Sequence, residues 1–108
     1  MPRAKAFYGE VLGLRVLSED GFAVVFDSQG TTLRAAIVQE VVPARYTVLG
    51  WDVPDITATV RGLAAAGVVI ERYAWLKQDE LGIWNAPGGA KVAWFKDLDG
   101  NVLSVSQH

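Results

Sequence analysis

The segment Phe7-Tyr8-Gly9-Glu10-Val11-Leu12-Gly13-Leu14 describes a short helix that stops on a glycine. Phe7, Val11 and Leu14 fall at i, i+4 and i+7, one apolar helical face, and Gly13 stands where a helix end favours a left-handed residue. The chain then repeats itself. Ile56, Val60 and Leu63 have the same spacing, and Gly67 ends the run. Pro54-Asp55 supplies a fixed φ and an acidic first turn at that second start. Strand-like segments follow each helix. After the first come Leu14–Leu17, Phe22–Asp27 and Thr31–Val38, broken at Glu19-Asp20-Gly21 and Ser28-Gln29-Gly30. After the second come Val68–Tyr73, Gly82–Asn85, Lys91–Phe95 and Val102–Ser106, divided by Ala86-Pro87-Gly88-Gly89 and Asp99-Gly100.

A further strand, Tyr46–Val53, precedes the second helix, so that copy reads β-α-β-β-β. The first copy starts at its helix, and its leading strand is expected to be absent from this sequence. The pattern predicts an α+β fold of two paired modules, about 1–42 and about 45–108, joined at Val41-Val42-Pro43-Ala44. Neither copy has the length to bury a core alone, so the two are expected to be halves of one domain.

Composition removes several function classes. The 108 residues are 51% hydrophobic and 20% charged, which supports a core and excludes a disordered chain. A net charge of −2 is far from the basic character of a nucleic-acid domain. There is no cysteine, and the one histidine is His108, the last residue, so thiolate chemistry and a Ser-His pair have little to build on. Met1-Pro2-Arg3-Ala4-Lys5 opens no apolar signal region, and no apolar run approaches the ~20 residues a bilayer requires. A cytoplasmic protein without membrane contact is the expectation.

Asp97-Leu98-Asp99-Gly100-Asn101 has the look of a calcium loop, but its glycine comes fourth and not sixth. It reads better as an Asp-Gly hairpin turn. Gly88-Gly89 lacks the strand–loop–helix context of a phosphate loop. Asp79-Glu80 is a solvated loop pair or an acid/base candidate. Four tryptophans and three tyrosines leave two readings open: core and dimer interface, or an aromatic-lined ligand pocket. Arg34 interrupts the run Leu33, Ala35, Ala36, Ile37, and either faces solvent or meets an anionic partner.

The Phe7–Leu14 segment resembles the helix-to-strand signature of the vicinal oxygen chelate superfamily, which includes glyoxalase I, extradiol dioxygenases and bleomycin-binding proteins. Ala86-Pro87-Gly88-Gly89 and Phe95-Lys96-Asp97-Leu98-Asp99-Gly100-Asn101 resemble its closing hairpin. The resemblance implies that the two modules form a cupped mixed sheet, commonly as a homodimer. It also implies a divalent metal held by four inward His and Glu side chains, one per strand. The first such position belongs to the strand before Phe7. The others fall at about Arg34, Val48 and Ser104, none of which supplies a carboxylate or imidazole.

The resemblance therefore implies a cup without metal or other cofactor, binding a small organic molecule. Arg34, Tyr46, Val48, Trp84, Trp94 and Ser104 are the expected ligand-binding residues, with no catalytic residue assigned. Strand alternation would turn Tyr46, Val48 and Gly50 one way, and Leu49 and Trp51 toward the helix. Ser104 would share its face with Val102 and Ser106, and Arg34 with Thr32 and Ala36. The alternatives are a lyase or isomerase of the same superfamily, acting through Tyr46 or Asp79, and an interaction module whose aromatics meet a partner.

Overall fold

Helix α1, Pro2–Ala4, passes without a break into a π-helical segment, Lys5–Val11, in the computed structural model, which describes residues 2–21, 23–36, 43 and 46–108. The wider winding is a departure from the 3.6-residue period. The Leu12 amide donates to the Phe7 carbonyl, five residues back, at 2.9 Å. Gly13 then adopts φ +76°, which releases the chain into the first strand.

The chain divides into two units, Met1–Val42 and Pro43–His108. In the first, β1 (Arg15–Glu19), β2 (Ala23–Ser28) and β3 (Thr31–Ala36) form an antiparallel sheet in that order. Val24 and Phe26 are fully buried on one face of β2, and the Tyr8 ring lies 5.7 Å from that of Phe26. The other face pairs Val25 with Arg34 and Asp27 with Thr32. Gln29 and Gly30 turn the β2–β3 hairpin with φ of +51° and +90°, and the Asp27 carboxylate accepts the Gly30 amide at 2.9 Å. Two positive φ values match the right-handed twist of the flanking strands. Phe22, Ile37, Val38 and the linker residues Val41, Val42 and Ala44 lie outside the described residues.

The second unit holds β4 (Leu49–Asp52), α2 (Ile56–Ala65), β5 (Trp84–Asn85), β6 (Lys91–Lys96) and β7 (Val102–Gln107). Its sheet runs β4-β7-β6-β5, with β4 parallel to β7 and the remaining pairs antiparallel. Asp55 caps α2 by accepting the Ala58 amide at 3.1 Å, and Gly67 follows the helix at φ +91°. Ile56 and Val60 are buried where α2 packs on β6 and β7. The register sets Ala93 beside Val105 and Phe95 beside Leu103, and all four are buried. This is the alternation the sequence predicts, with Leu49 and Trp51 half-buried and Gly50 and Asp52 exposed.

Asp97 is buried, and its carboxylate accepts the amides of Asp99 and Asn101 and the Asn101 side chain at 2.8–3.0 Å. Gly100 closes the bend at φ +88°, so this segment is a β6–β7 turn that the Asp97 carboxylate serves. One predicted strand is corrected. Val68–Tyr73 forms no strand, and only Ile70 bridges to Phe95. The cause is local. Gln78 accepts the Tyr73 amide and donates to the Glu71 carbonyl, filling backbone groups that a neighbouring strand would otherwise satisfy. Among the described residues no helix is long and apolar enough to cross a membrane.

Candidate functional site

The face of the second sheet opposite α2 follows from the pairings. Gly50 stands beside Ser104, and Ser104 beside Trp94; Asp52, Ser106, Val92 and Trp84 form the adjacent row. Trp84 and Trp94 are half-buried, their rings 6.0 Å apart and inclined by 34°. Tyr73 meets Trp94 edge-on at 5.6 Å, and Trp75 lies 4.9 Å from Tyr73 at 35°. Four rings thus form one continuous aromatic surface, in the offset and edge geometries aromatic quadrupoles favour. The Trp94 indole N–H donates to the Thr47 hydroxyl at 3.2 Å, which ties the surface to the segment before β4.

Thr47 sits between Tyr46 and Val48, which are 72% and 51% exposed. Among the described residues Tyr46 makes no ring contact with the surface. Ser104 owes its seat to Gly50, because a Cβ at position 50 would stand 2.6 Å from its hydroxyl oxygen. Trp84, Trp94 and Ser104 are therefore brought onto one face, while Tyr46 and Val48 are exposed on either side of Thr47 in the chain. Arg34 is exposed on β3 of the first unit, across from Val25.

Tyr73 and Trp75 reach the surface on the segment from 71 to 83, which side chains hold in shape. Gln78 accepts the Tyr73 amide at 2.8 Å and donates to the carbonyls of Glu71 and Gly82 at 2.9 and 2.7 Å. The Arg72 guanidinium donates to the carbonyls of Asp79 and Glu80 at 2.9 and 2.6 Å. Asp79, an acid/base candidate from sequence, accepts the amides of Leu81 and Ile83 at 2.9 Å each. Its carboxylate is committed to the loop. Trp75, 78% exposed, stands at the outer end of the surface. Tyr73 and Trp75 were legible as aromatics, but reading Val68–Tyr73 as a strand hid the loop that delivers them.

The charges nearby are also engaged. Lys96 pairs with Glu71 at 3.4 Å. Burial raises the Tyr73 phenol above its usual pKa, the Glu71 charge adds to this and Lys96 opposes it. The phenol is a neutral hydrogen-bonding group at pH 7. Asp52 accepts the Ser106 hydroxyl at 3.1 Å and lies 3.2 Å from the His108 imidazole. The carboxylate stands between serine and histidine, so this trio lacks the nucleophile–base contact that acyl transfer requires.

The metal implied by the resemblance does not fit these residues. Val48 and Ser104 offer an alkyl group and a neutral hydroxyl, and Arg34 a cation. Among the described residues no group of three or more His, Cys, Asp or Glu could hold a metal ion.

Comparison with known proteins adds three findings. A family model described as the glyoxalase/bleomycin resistance protein/dioxygenase superfamily matches residues 1–105. Solved structures share the fold. The chain is similar to a provisionally assigned glyoxalase family protein from Bacillus anthracis (TM-score 0.78, 17% identity, 99% of this chain and 83% of that one). It is similar to a glyoxalase family protein from Enterococcus faecalis (0.73, 24%, 98% and 87%) and to lactoylglutathione lyase from Agrobacterium tumefaciens (0.70, 20%, 98% and 84%). No curated protein matches the chain.

Proposed function

We propose that this chain, which belongs to the glyoxalase/bleomycin resistance protein/dioxygenase superfamily, binds a small organic molecule on the aromatic face of its second sheet without a metal ion. The superfamily's fold does not fix the activity, so the argument stands on the site. The observation that carries it is the unbroken ring surface Trp84–Trp94–Tyr73–Trp75. A large aromatic surface with a few placed polar groups is the usual make-up of an organic-ligand site. Here the Ser104 and Tyr73 hydroxyls are those groups, and a flat apolar ring is the complementary ligand. Tyr46 and Val48 would border the ligand.

The test is a thermal-shift screen of divalent metals beside aromatic compounds and organic acids, with Trp94→Ala as the control. A ligand at a hundred times its Kd that binds only the folded chain adds about 2.7 kcal/mol to stability. Stabilisation by an aromatic compound that Trp94→Ala abolishes supports the reading. Stabilisation by a metal with no response to organic compounds overturns it and turns attention to a metal-dependent enzyme of the superfamily.

A further inference from the structure

We infer that Gln78 is the positioning residue of this site, the group that makes Tyr73 and Trp75 a fixed wall. The inference rests on the aromatic face being the binding surface. Its amide spans the loop from within. One oxygen takes the Tyr73 amide, and one nitrogen donates to both Glu71, where the loop leaves the sheet, and Gly82, where it returns. Both ends of the loop and the backbone under Tyr73 are thus joined through one half-buried side chain. Arg72 also ties the near limb to the carbonyls of Asp79 and Glu80, and Asp79 braces the far limb at residues 81 and 83, but neither bonds the backbone of Tyr73. No other side-chain bond among the described residues reaches the Tyr73 backbone.

A primary amide is the group this geometry requires. Two carbonyls face its nitrogen, so a donor must stand there, while its oxygen must accept. A preordered wall spares a ligand the ordering of a mobile loop and two ring side chains, a cost that otherwise subtracts from affinity. Trp75 illustrates the need. With most of its surface in water, it has only the Tyr73 ring contact and its loop to hold it.

Gln78→Glu tests this with a near-isosteric change that sets a carboxylate against the carbonyls of Glu71 and Gly82. At neutral pH the near-ultraviolet circular dichroism of the ring cluster should fall by half or more, and acrylamide quenching of tryptophan should rise. Affinity for the aromatic dye anilinonaphthalene sulfonate should drop about tenfold, the equivalent of one neutral hydrogen bond. On acidification the protonated acid regains one donor, and the dichroism should partly recover. The unsubstituted protein at each pH accounts for titration of the neighbouring Glu71, Asp79 and Glu80.

If Gln78→Glu does not fold, Gln78→Met removes the same bonds without a charge and should lose ring dichroism in the same direction. Unchanged ring dichroism and quenching in either variant overturns the inference, as does a loss in Gln78→Glu that acid fails to reverse. If the ring signal behaves as expected but the dye binds even the unsubstituted protein nowhere on this face, the binding reading fails and the role of Gln78 in holding the wall stands.

Discussion

Replacing Gly82 with alanine should damage the second unit far more than the same change at Gly89. Both glycines hold a φ that side chains rarely adopt, +89° and +94°. That shared conformational cost is about 1–2 kcal/mol. They differ in their surroundings. A Cβ at Gly89 meets nothing within 4 Å, whereas one at Gly82 would stand 2.5 Å from Cγ2 of Ile70 and 3.2 Å from its Cβ. Ile70 is β-branched and stiff at χ1, and its backbone bridges to Phe95, so it has little freedom to withdraw. Such overpacking costs about 1–3 kcal/mol more. Gly82→Ala should therefore cost roughly 2–5 kcal/mol in all, and 3 kcal/mol would lower Tm by roughly 12–24 °C. Intrinsic fluorescence is the assay, because Trp51, Trp75, Trp84 and Trp94 all lie in this unit. In an Ile70→Ala background the 2.5 Å clash with Cγ2 is gone and only the 3.2 Å approach to Cβ remains, so the extra loss should shrink and Gly82→Ala should move toward Gly89→Ala. Equal losses for Gly82→Ala and Gly89→Ala in the native background would refute the argument.

Three shorter predictions follow from the same geometry. Asp97→Ala leaves three donors of the β6–β7 turn unsatisfied in a buried place, and urea denaturation should show a loss of about 2 kcal/mol or more. Asp55→Ala removes the cap of α2 and should cost about 1 kcal/mol, read from the same melts. The Tyr73 phenol is raised in the fold by burial first and by Glu71 second. The folded state therefore keeps a proton that the unfolded chain releases above pH 10.0, so the Tyr73 contribution to stability is complete below that pH and lost as pH climbs through the folded value. Tyr73→Phe should flatten that alkaline decline in denaturation curves.

Much of this architecture is legible in the sequence because its signals are local. The apolar spacing of Ile56, Val60 and Leu63 and the breaks at Gly67 and Asp99-Gly100 need no knowledge of distant residues. Alternation likewise places Ser104 with Val102 and Ser106, which the pairing of β6 with β7 repeats. Two features escape such reading. The π-helical winding at Lys5–Val11 depends on one amide choosing a carbonyl five residues back, and the apolar pattern fits either winding. The loop from 71 to 83 depends on Gln78, whose three bonds reach residues four to seven positions away. Val68–Tyr73 has a strand's composition, and nothing in that composition reveals a glutamine waiting to occupy its backbone. The site divides in the same way. Trp84, Trp94 and Ser104 lie on strands and could be found, whereas Tyr73 and Trp75 arrive on the loop.

The strand order of the second unit has a consequence for how the protein is made. β4 is parallel to β7 and pairs with no other strand among the described residues, and β7 also carries β6. During synthesis β4 and α2 emerge early, but the strand that joins them to the rest follows only after β5 and β6. Until Val102–Gln107 has cleared the ribosome, β4 has both edges unpaired and the apolar face of α2 lacks half its floor. The sheet is complete only once β7 lies between β4 and β6, so the non-local β4–β7 pairing must form after the local β6–β7 hairpin has been made.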